Sequence, residues 1–313
     1  MQFDGRCRLD PRARQGIKNM PNKKKILITG LSGFTGRYLG EIFRERGWDV
    51  VGLSNEAGKD TVVCDLRDRD ETFRTIEDIN PTGVIHLAGV SSPAHEPAID
   101  FYAINTIGTT NLLDALLENA NVVEKVVIAS SSNVYGRTLD AKITEDSECK
   151  PVGHYAASKM AMEHLVSTYY EKLPIVQTRP FNYTGPGQNL NFLIPKIVDH
   201  FKREASEIAL GNIDVERDFL DVRDVASAYW SIFAGTATSE VVNICSGKVI
   251  SLKSIIDKLI DITGHKISVV VDPRFVRAND IKSLGGDNTK LSSLYGFSPH
   301  YEIEGTLRTM LTA

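Results

Sequence analysis

The feature that most constrains this chain is an alternation that begins at Lys25. Short apolar runs at residues 25–29, 50–53, 61–63, 83–88, 126–129 and 175–178 are separated by longer stretches, several of them with helical periodicity. Residues 37–47 carry Leu39, Ile42 and Phe43 at helical spacing, and long helical patterns cover about 98–119 and 155–172. The runs are too short for buried helices and too uniformly apolar for strands with one wet face. They read as strands of a parallel sheet covered on both sides. Right-handed crossovers then make the sheet doubly wound.

After residue 178 the texture changes. Pro180, Gly185, Pro186 and Gly187 crowd one loop, a helix is expected over about 192–204 and another from about Asp221, and residues 241–244 read as one more sheet strand. The expected organisation is an extension over 1–22, a nucleotide-binding domain from 23–178 plus 221–246, and a smaller substrate lobe from 179–220 plus 247–313. The extension carries many of the basic residues of its neighbourhood but no apolar core, so it is not read as a secretory signal.

Composition narrows the functional classes. The 313 residues are 42% hydrophobic and 24% charged with a net charge of −4, an ordinary globular balance that gives no footprint for nucleic acid. No apolar run approaches the ~18–20 residues of a membrane helix. The four cysteines, Cys7, Cys64, Cys149 and Cys245, are scattered without a C-x-x-C pair. Neither a disulfide framework nor a metal site is expected, and a cytoplasmic setting fits.

The first strand runs into Thr29-Gly30-Leu31-Ser32-Gly33-Phe34-Thr35-Gly36. Glycines there allow a tight turn and a close approach to a pyrophosphate, and the following helix offers free N–H groups and the positive end of its dipole. An acid after strand two would bind the ribose 2′-hydroxyl of NAD, but this chain has Leu53-Ser54-Asn55 and no acid before Glu56. Arg37, just past the last glycine, suits a 2′-phosphate. The reading is therefore NADP(H) preferred, NAD(H) possible. Asp65 and Leu66 follow strand three, where they would close the adenine pocket; a helix-capping role for Asp65 is the alternative. Tyr155-Ala-Ala-Ser-Lys159 places a phenol and an ammonium one helical turn apart, which favours phenolate and proton exchange. Ser130 to Tyr135 follows strand five, at the sheet edge where ligands bind in open α/β folds.

Together these pieces resemble the extended short-chain dehydrogenase/reductases, over essentially all of residues 25–313. The matching segments are Thr29-Gly-x-x-Gly-x-x-Gly36, His86-Leu-Ala-Gly89, Asn105-x-x-Gly108-Thr109, Ser131…Tyr135-Gly136 and Tyr155-x-x-x-Lys159. The resemblance implies a Rossmann fold with Ser131, Tyr155 and Lys159 as the catalytic trio. It implies cofactor contacts from Gly30, Gly33, Phe34, Thr35, Gly36, Arg37, Ser54, Asp65, Leu66, Leu87, Ala88, Gly89, Asn105, Tyr155, Lys159 and Arg179. His154 stands where relatives usually have proline.

Three further segments are similar to the nucleotide-sugar branch. They are Arg179-Pro-Phe-Asn182, Arg217-Asp-Phe-Leu-Asp-Val-Arg-Asp224 and Arg277-Ala-Asn-Asp280. The substrate contacts they imply are Asn182, Arg217 and Arg277, joined by Ser92, Ser132 and Asn133. Dehydratases of the branch carry a carboxylate just after the catalytic hydroxyl; here Ser132 and Asn133 follow Ser131. The resemblance thus implies a 4-keto-6-deoxyhexose reductase acting on a nucleotide sugar, GDP-linked first of all, and a homodimer formed through helices near 98–119 and 155–172. A 4-epimerase that retains NAD is the alternative, and a non-catalytic NADP-binding regulator a more distant one.

Overall fold

The computed structural model describes residues 24–90, 97–120, 122–138, 142–273 and 282–313. The first half alternates as its pattern predicts. In chain order come β1 (Lys25–Thr29), α1 (Phe34–Glu45), β2 (Asp49–Ser54), β3 (Thr61–Val63), α2 (Arg69–Ile79) and β4 (Gly83–His86). Then follow α3 (Ile99–Tyr102), a π-turn (Ala103–Gly108), α4 (Thr109–Asn119), β5 (Lys125–Ala129), a 3₁₀ turn (Ser132–Tyr135), α5 (Gly153–Ser167) and β6 (Ile175–Pro180). The remainder comprises β7 (Asn182–Thr184), α6 (Leu193–Lys202), β8 (Glu207–Leu210), β9 (Glu216–Asp221), α7 (Val222–Ala234), β10 (Glu240–Ile244), β11 (Val249–Ser251) and α8 (Leu252–Thr263). β12 (Ser268–Val271), β13 (Ser283–Leu284), α9 (Thr289–Tyr295) and α10 (Ile303–Thr312) complete it.

Seven parallel strands form the central sheet in the order β10-β6-β5-β4-β1-β2-β3. Alternation within each strand feeds both faces: Ile26 and Ile28 of β1 join a cluster with Leu39 and Phe43 of α1 and Tyr229 and Ile232 of α7, whereas Leu27 joins Ile76 of α2, Leu112 of α4 and Met162 of α5. A third core is built by Ile194, Ile197 and Phe201 of α6 with Ile255 and Leu259 of α8 and Leu307 of α10. Two small sheets accompany it, β11-β9-β13 with β7 against β9, and β12 with β8. None of the helices among the described residues is long and apolar enough to cross a membrane.

Two helices depart from their periodicity. The stretch expected as one helix over about 98–119 is interrupted by the π-turn. The fully buried Asn105 sits in it, its carbonyl accepting from Thr109 Oγ1 at 2.6 Å and its amide turned toward β4 and α5. Such a bulge costs regular hydrogen bonding and marks a place where a side chain must be aimed. The helix expected to run to 172 ends at Ser167, where Ser167 and Thr168 turn their hydroxyls onto the carbonyls of His164 and Leu165.

Candidate active site

All seven central strands are parallel, so their C-terminal ends share one edge, and the glycine turn after β1 and the serine loop after β5 both open there. Gly30 has φ of 75°, a left-handed conformation that a side chain would strain. A Cβ on Gly36 would lie 2.2 Å from the Gly30 carbonyl oxygen, so the start of α1 packs directly on the turn. Gly33 caps α1 without a side-chain hydrogen bond, and the first turn holds no acid. Asp68, Asp221 and Ser251 cap α2, α7 and α8 with side-chain oxygens. The N–H groups of Phe34, Thr35 and Gly36 therefore lack intrahelical acceptors and face the sheet edge with the positive dipole end. These residues fit a dinucleotide pyrophosphate.

Below the turn, a closed hydrogen-bond chain fixes the floor of the cleft. Ala88 N–H donates to Thr29 Oγ1 at 3.0 Å, and Thr29 Oγ1 lies 2.7 Å from His86 Nδ1. His86 Nε2 lies 2.9 Å from Thr109 Oγ1, whose own proton goes to the Asn105 carbonyl. The chain closes only if the ring carries its proton on Nε2 and accepts from Thr29. Burial, and then the charge of Lys159, push the His86 pKa down to about 3, so the ring is neutral. Asn105 accepts from Val90 N–H at 3.0 Å and donates to Ser158 Oγ at 3.0 Å, tying the loop after β4 to α5.

The structure places Ser131 beside Tyr155, and Lys159 one turn further along α5. Ser131 is buried, caps the 3₁₀ turn by accepting from Asn133 N–H at 3.2 Å, and lies beside Tyr155. Lys159 is buried, donates to the Ala129 carbonyl at 2.8 Å and lies close above Gly89. Burial pulls its pKa down to about 8 against the opposing charge of Glu163. The phenol differs from expectation. Burial raises the Tyr155 pKa, and Ser131 opposes that only in part. Burial thus keeps Tyr155 as the neutral acid. Ser130, next to Ser131, buries a hydroxyl that has no partner among the described residues, a second group suited to a bound cofactor.

Other expected contacts divide. Arg37 lies on the first turn of α1 but hydrogen-bonds the Gly187 carbonyl at 3.0 Å, and Tyr38 likewise holds the Pro186 carbonyl at 2.8 Å. Ser54 closes β2 half-exposed, and Leu87 and Ala88 follow β4 at the sheet edge. Asp65 does not cap α2: Asp68 does, and Asp65 is paired with Arg67 at 2.6 Å, which holds its carboxyl below the usual range. Leu66 is buried in the sheet core, over Gly108. Arg179 is not open to a cofactor. It is 5% exposed and binds Glu163 in a fork at 2.6–3.1 Å, because a buried guanidinium needs a carboxylate close at hand. Ser132 is buried and Asn133 exposed on the serine loop. Asn182 and Arg217 lie in one small sheet, where Asn182 pairs with Phe219, two residues beyond Arg217. Ser92 and Arg277 fall outside the described residues. His154, in place of the usual proline, meets the Tyr102 hydroxyl at 3.2 Å.

Two residues escaped the sequence reading. Tyr183 on β7 lies 2.8 Å from Thr35 Oγ1 and stacks on Phe34 with ring centroids 6.0 Å apart, so the small sheet of β7 and β9 touches the glycine turn. Nothing in its spacing signals this. Glu163 does have a signal, since it follows Lys159 by the same four residues that separate Lys159 from Tyr155.

A pyrophosphate turn after β1 and a Ser–Tyr–Lys trio at the same sheet edge define an NAD(P)-dependent oxidoreductase of the extended short-chain type. Residues 27–310 match the family described as GDP-mannose 4,6 dehydratase, and the chain belongs to that family. It is 36% identical over 274 residues to the GDP-6-deoxy-D-talose 4-dehydrogenase of Aggregatibacter actinomycetemcomitans, covering 87% of this chain and 91% of the relative. It is 31% identical over 303 residues to the GDP-6-deoxy-D-mannose reductase of Pseudomonas aeruginosa, covering 92% and 96%. The structure of RMD from Pseudomonas aeruginosa complexed with NADPH superposes with a TM-score of 0.82 at 30% identity, covering 93% of this chain and 98% of that one.

Proposed function

We propose that the protein uses NADPH to reduce the C4 ketone of a GDP-linked 4-keto-6-deoxyhexose. The observation that carries this reading is the arrangement of the trio: Tyr155, which burial keeps a neutral acid, lies beside the buried Ser131 and one helical turn from the buried Lys159. That arrangement is ready to give a proton. Bound NADPH would supply the hydride. Ser131 would donate to the sugar carbonyl and fix it, and Tyr155 would protonate the C4 oxygen as it becomes an alkoxide. Lys159 would bind the nicotinamide ribose and stabilise the phenolate left behind. The carboxylate needed to eliminate water across C5–C6 has no counterpart at Ser132 or Asn133, which supports reduction over dehydration despite the family's description.

The cofactor reading is supported by Arg37, by the lack of an acid closing β2, and by the Pseudomonas relative's complex with NADPH. GDP is favoured by the names of both relatives, and Asn182 and Arg217 are proposed to meet the diphosphate. Those relatives are named for sugars that differ at C4, so the face of the ketone that receives hydride is set by how the lobe turns the sugar, not by the trio.

The test mixes the protein with NADPH and GDP-, dTDP-, UDP- and CDP-linked 4-keto-6-deoxy sugars and follows loss of reduced-nicotinamide absorbance. Stoichiometric loss with the GDP sugar is expected, and proton couplings of the product then assign C4. Interconversion of 4-epimers with the cofactor retained would replace this reading by an epimerase. Tyr155→Phe is expected to bind NADPH nearly as well and to lose at least about 100-fold in turnover; normal turnover would remove Tyr155 from its role.

A further inference from the structure

We propose that Glu163 is a positioning residue: one helical turn past Lys159, its carboxylate holds the lysine in its charged form, while Arg179 clamps that carboxylate and ties it to the loop bearing Ser131. This rests on the proposed role of the trio. Tyr155, Lys159 and Glu163 recur every four residues on α5, so they share one face of the helix. Lys159 is 5% exposed and Glu163 4% exposed. An ammonium taken out of water tends to shed its proton, and the carboxylate is the group that opposes this.

Among the described residues, the other elements around Lys159 offer no such charge. From β4 comes the neutral His86, from β5 the Ala129 carbonyl, from the π-turn the Asn105 amide, and from its own helix the neutral Tyr155. On the far side of Glu163 stands Arg179 of β6. Its fork holds both carboxylate oxygens, and its Nη1 donates to the Tyr135 hydroxyl at 3.0 Å. Tyr135 closes the 3₁₀ turn that Ser131 caps, and Tyr135 in turn donates to Asn243 Oδ1 at 2.7 Å. One ion pair therefore links the helix carrying Tyr155 and Lys159 to the loop carrying Ser131. A brace alone would need no charge near Lys159; this one sets the charge and the spacing together.

The test reads Lys159 directly in ligand-free protein labelled with ε-¹³C lysine, the resonance being assigned with Lys159→Met. Glu163→Gln keeps the shape but leaves the Arg179 cation uncompensated near Lys159. The Lys159 titration midpoint is expected to fall by about one pH unit or more, and the alkaline limb of kcat/KM to move with it. A midpoint within about 0.3 units of wild type overturns the proposal. Glu163→Gln with Arg179→Met removes both charges and covers the case in which the single variant does not fold, since exchanging a buried ion pair for neutral groups is often tolerated. Its midpoint should still lie below wild type, and an unchanged midpoint overturns the proposal equally. A wild-type protein that consumes no NADPH with any sugar defeats the proposed reaction and leaves the Lys159 titration to be judged on its own.

Discussion

His86 makes the fold's response to acid calculable. It is 1% exposed, bonded at both ring nitrogens to threonine oxygens, and its pKa is pushed down to about 3 from an ordinary 6.5. Because the folded value is the lower one, the unfolded chain binds the proton first. Stability is complete above about pH 6.5 and falls as the pH drops toward 3. At pH 5 the unfolded chain is ahead by about 1.5 pH units, or about 2 kcal/mol at 1.36 kcal/mol per unit. That figure hardly depends on the folded value, provided it stays well below 5. The perturbation is His86→Gln, which cannot titrate there. The variant is less stable at neutral pH, because Thr29 and Thr109 lose the ring that joined them. Urea unfolding of both proteins at about pH 7.5 and pH 5.0 gives the gap between them, and differencing cancels every carboxylate they share. The gap should narrow by about 2 kcal/mol at the lower pH. A gap that stays constant within about 0.5 kcal/mol, the reach of the extrapolation, would mean that His86 is not buried as a neutral ring.

Gly36→Ala puts a methyl against the Gly30 carbonyl and Leu31 backbone, neither of which can swing aside. Overpacking of about 1–3 kcal/mol should appear in thermal unfolding and as a five-fold or greater rise in the NADPH dissociation constant by fluorescence titration; an unchanged constant would mean the turn does not carry the pyrophosphate. Arg37→Ser removes the guanidinium that now holds Gly187. NADPH affinity should fall about tenfold with NADH nearly unaffected, and equal losses for both cofactors would take the 2′-phosphate role from Arg37.

What could be read from the sequence was whatever depends on neighbours along the chain. Strand β1 occupies residues 25–29, as its apolar run predicts, because a buried parallel strand has no polar face to blur the signal, and the half-buried edge strand β3 also falls on its short run at 61–63. Tyr155 and Lys159 were legible for the same reason: a four-residue spacing on a helix is a distance in space. Two charged side chains show where neighbours along the chain say less. Arg179 and Asp65 were placed by the strands they follow, but a charged side chain takes the partner that the fold brings closest, and these partners were Glu163 and Arg67. For Asp65 the partner is two residues away and half in water, and what the structure removes is the capping role, which Asp68 takes. For Arg179 the partner comes from another element and both charges are buried, so this misplacement reaches the chemistry. The arginine expected at the cofactor instead clamps Glu163, the carboxylate proposed to hold Lys159 charged, a pairing that shows only when the helix is seen packed against β6.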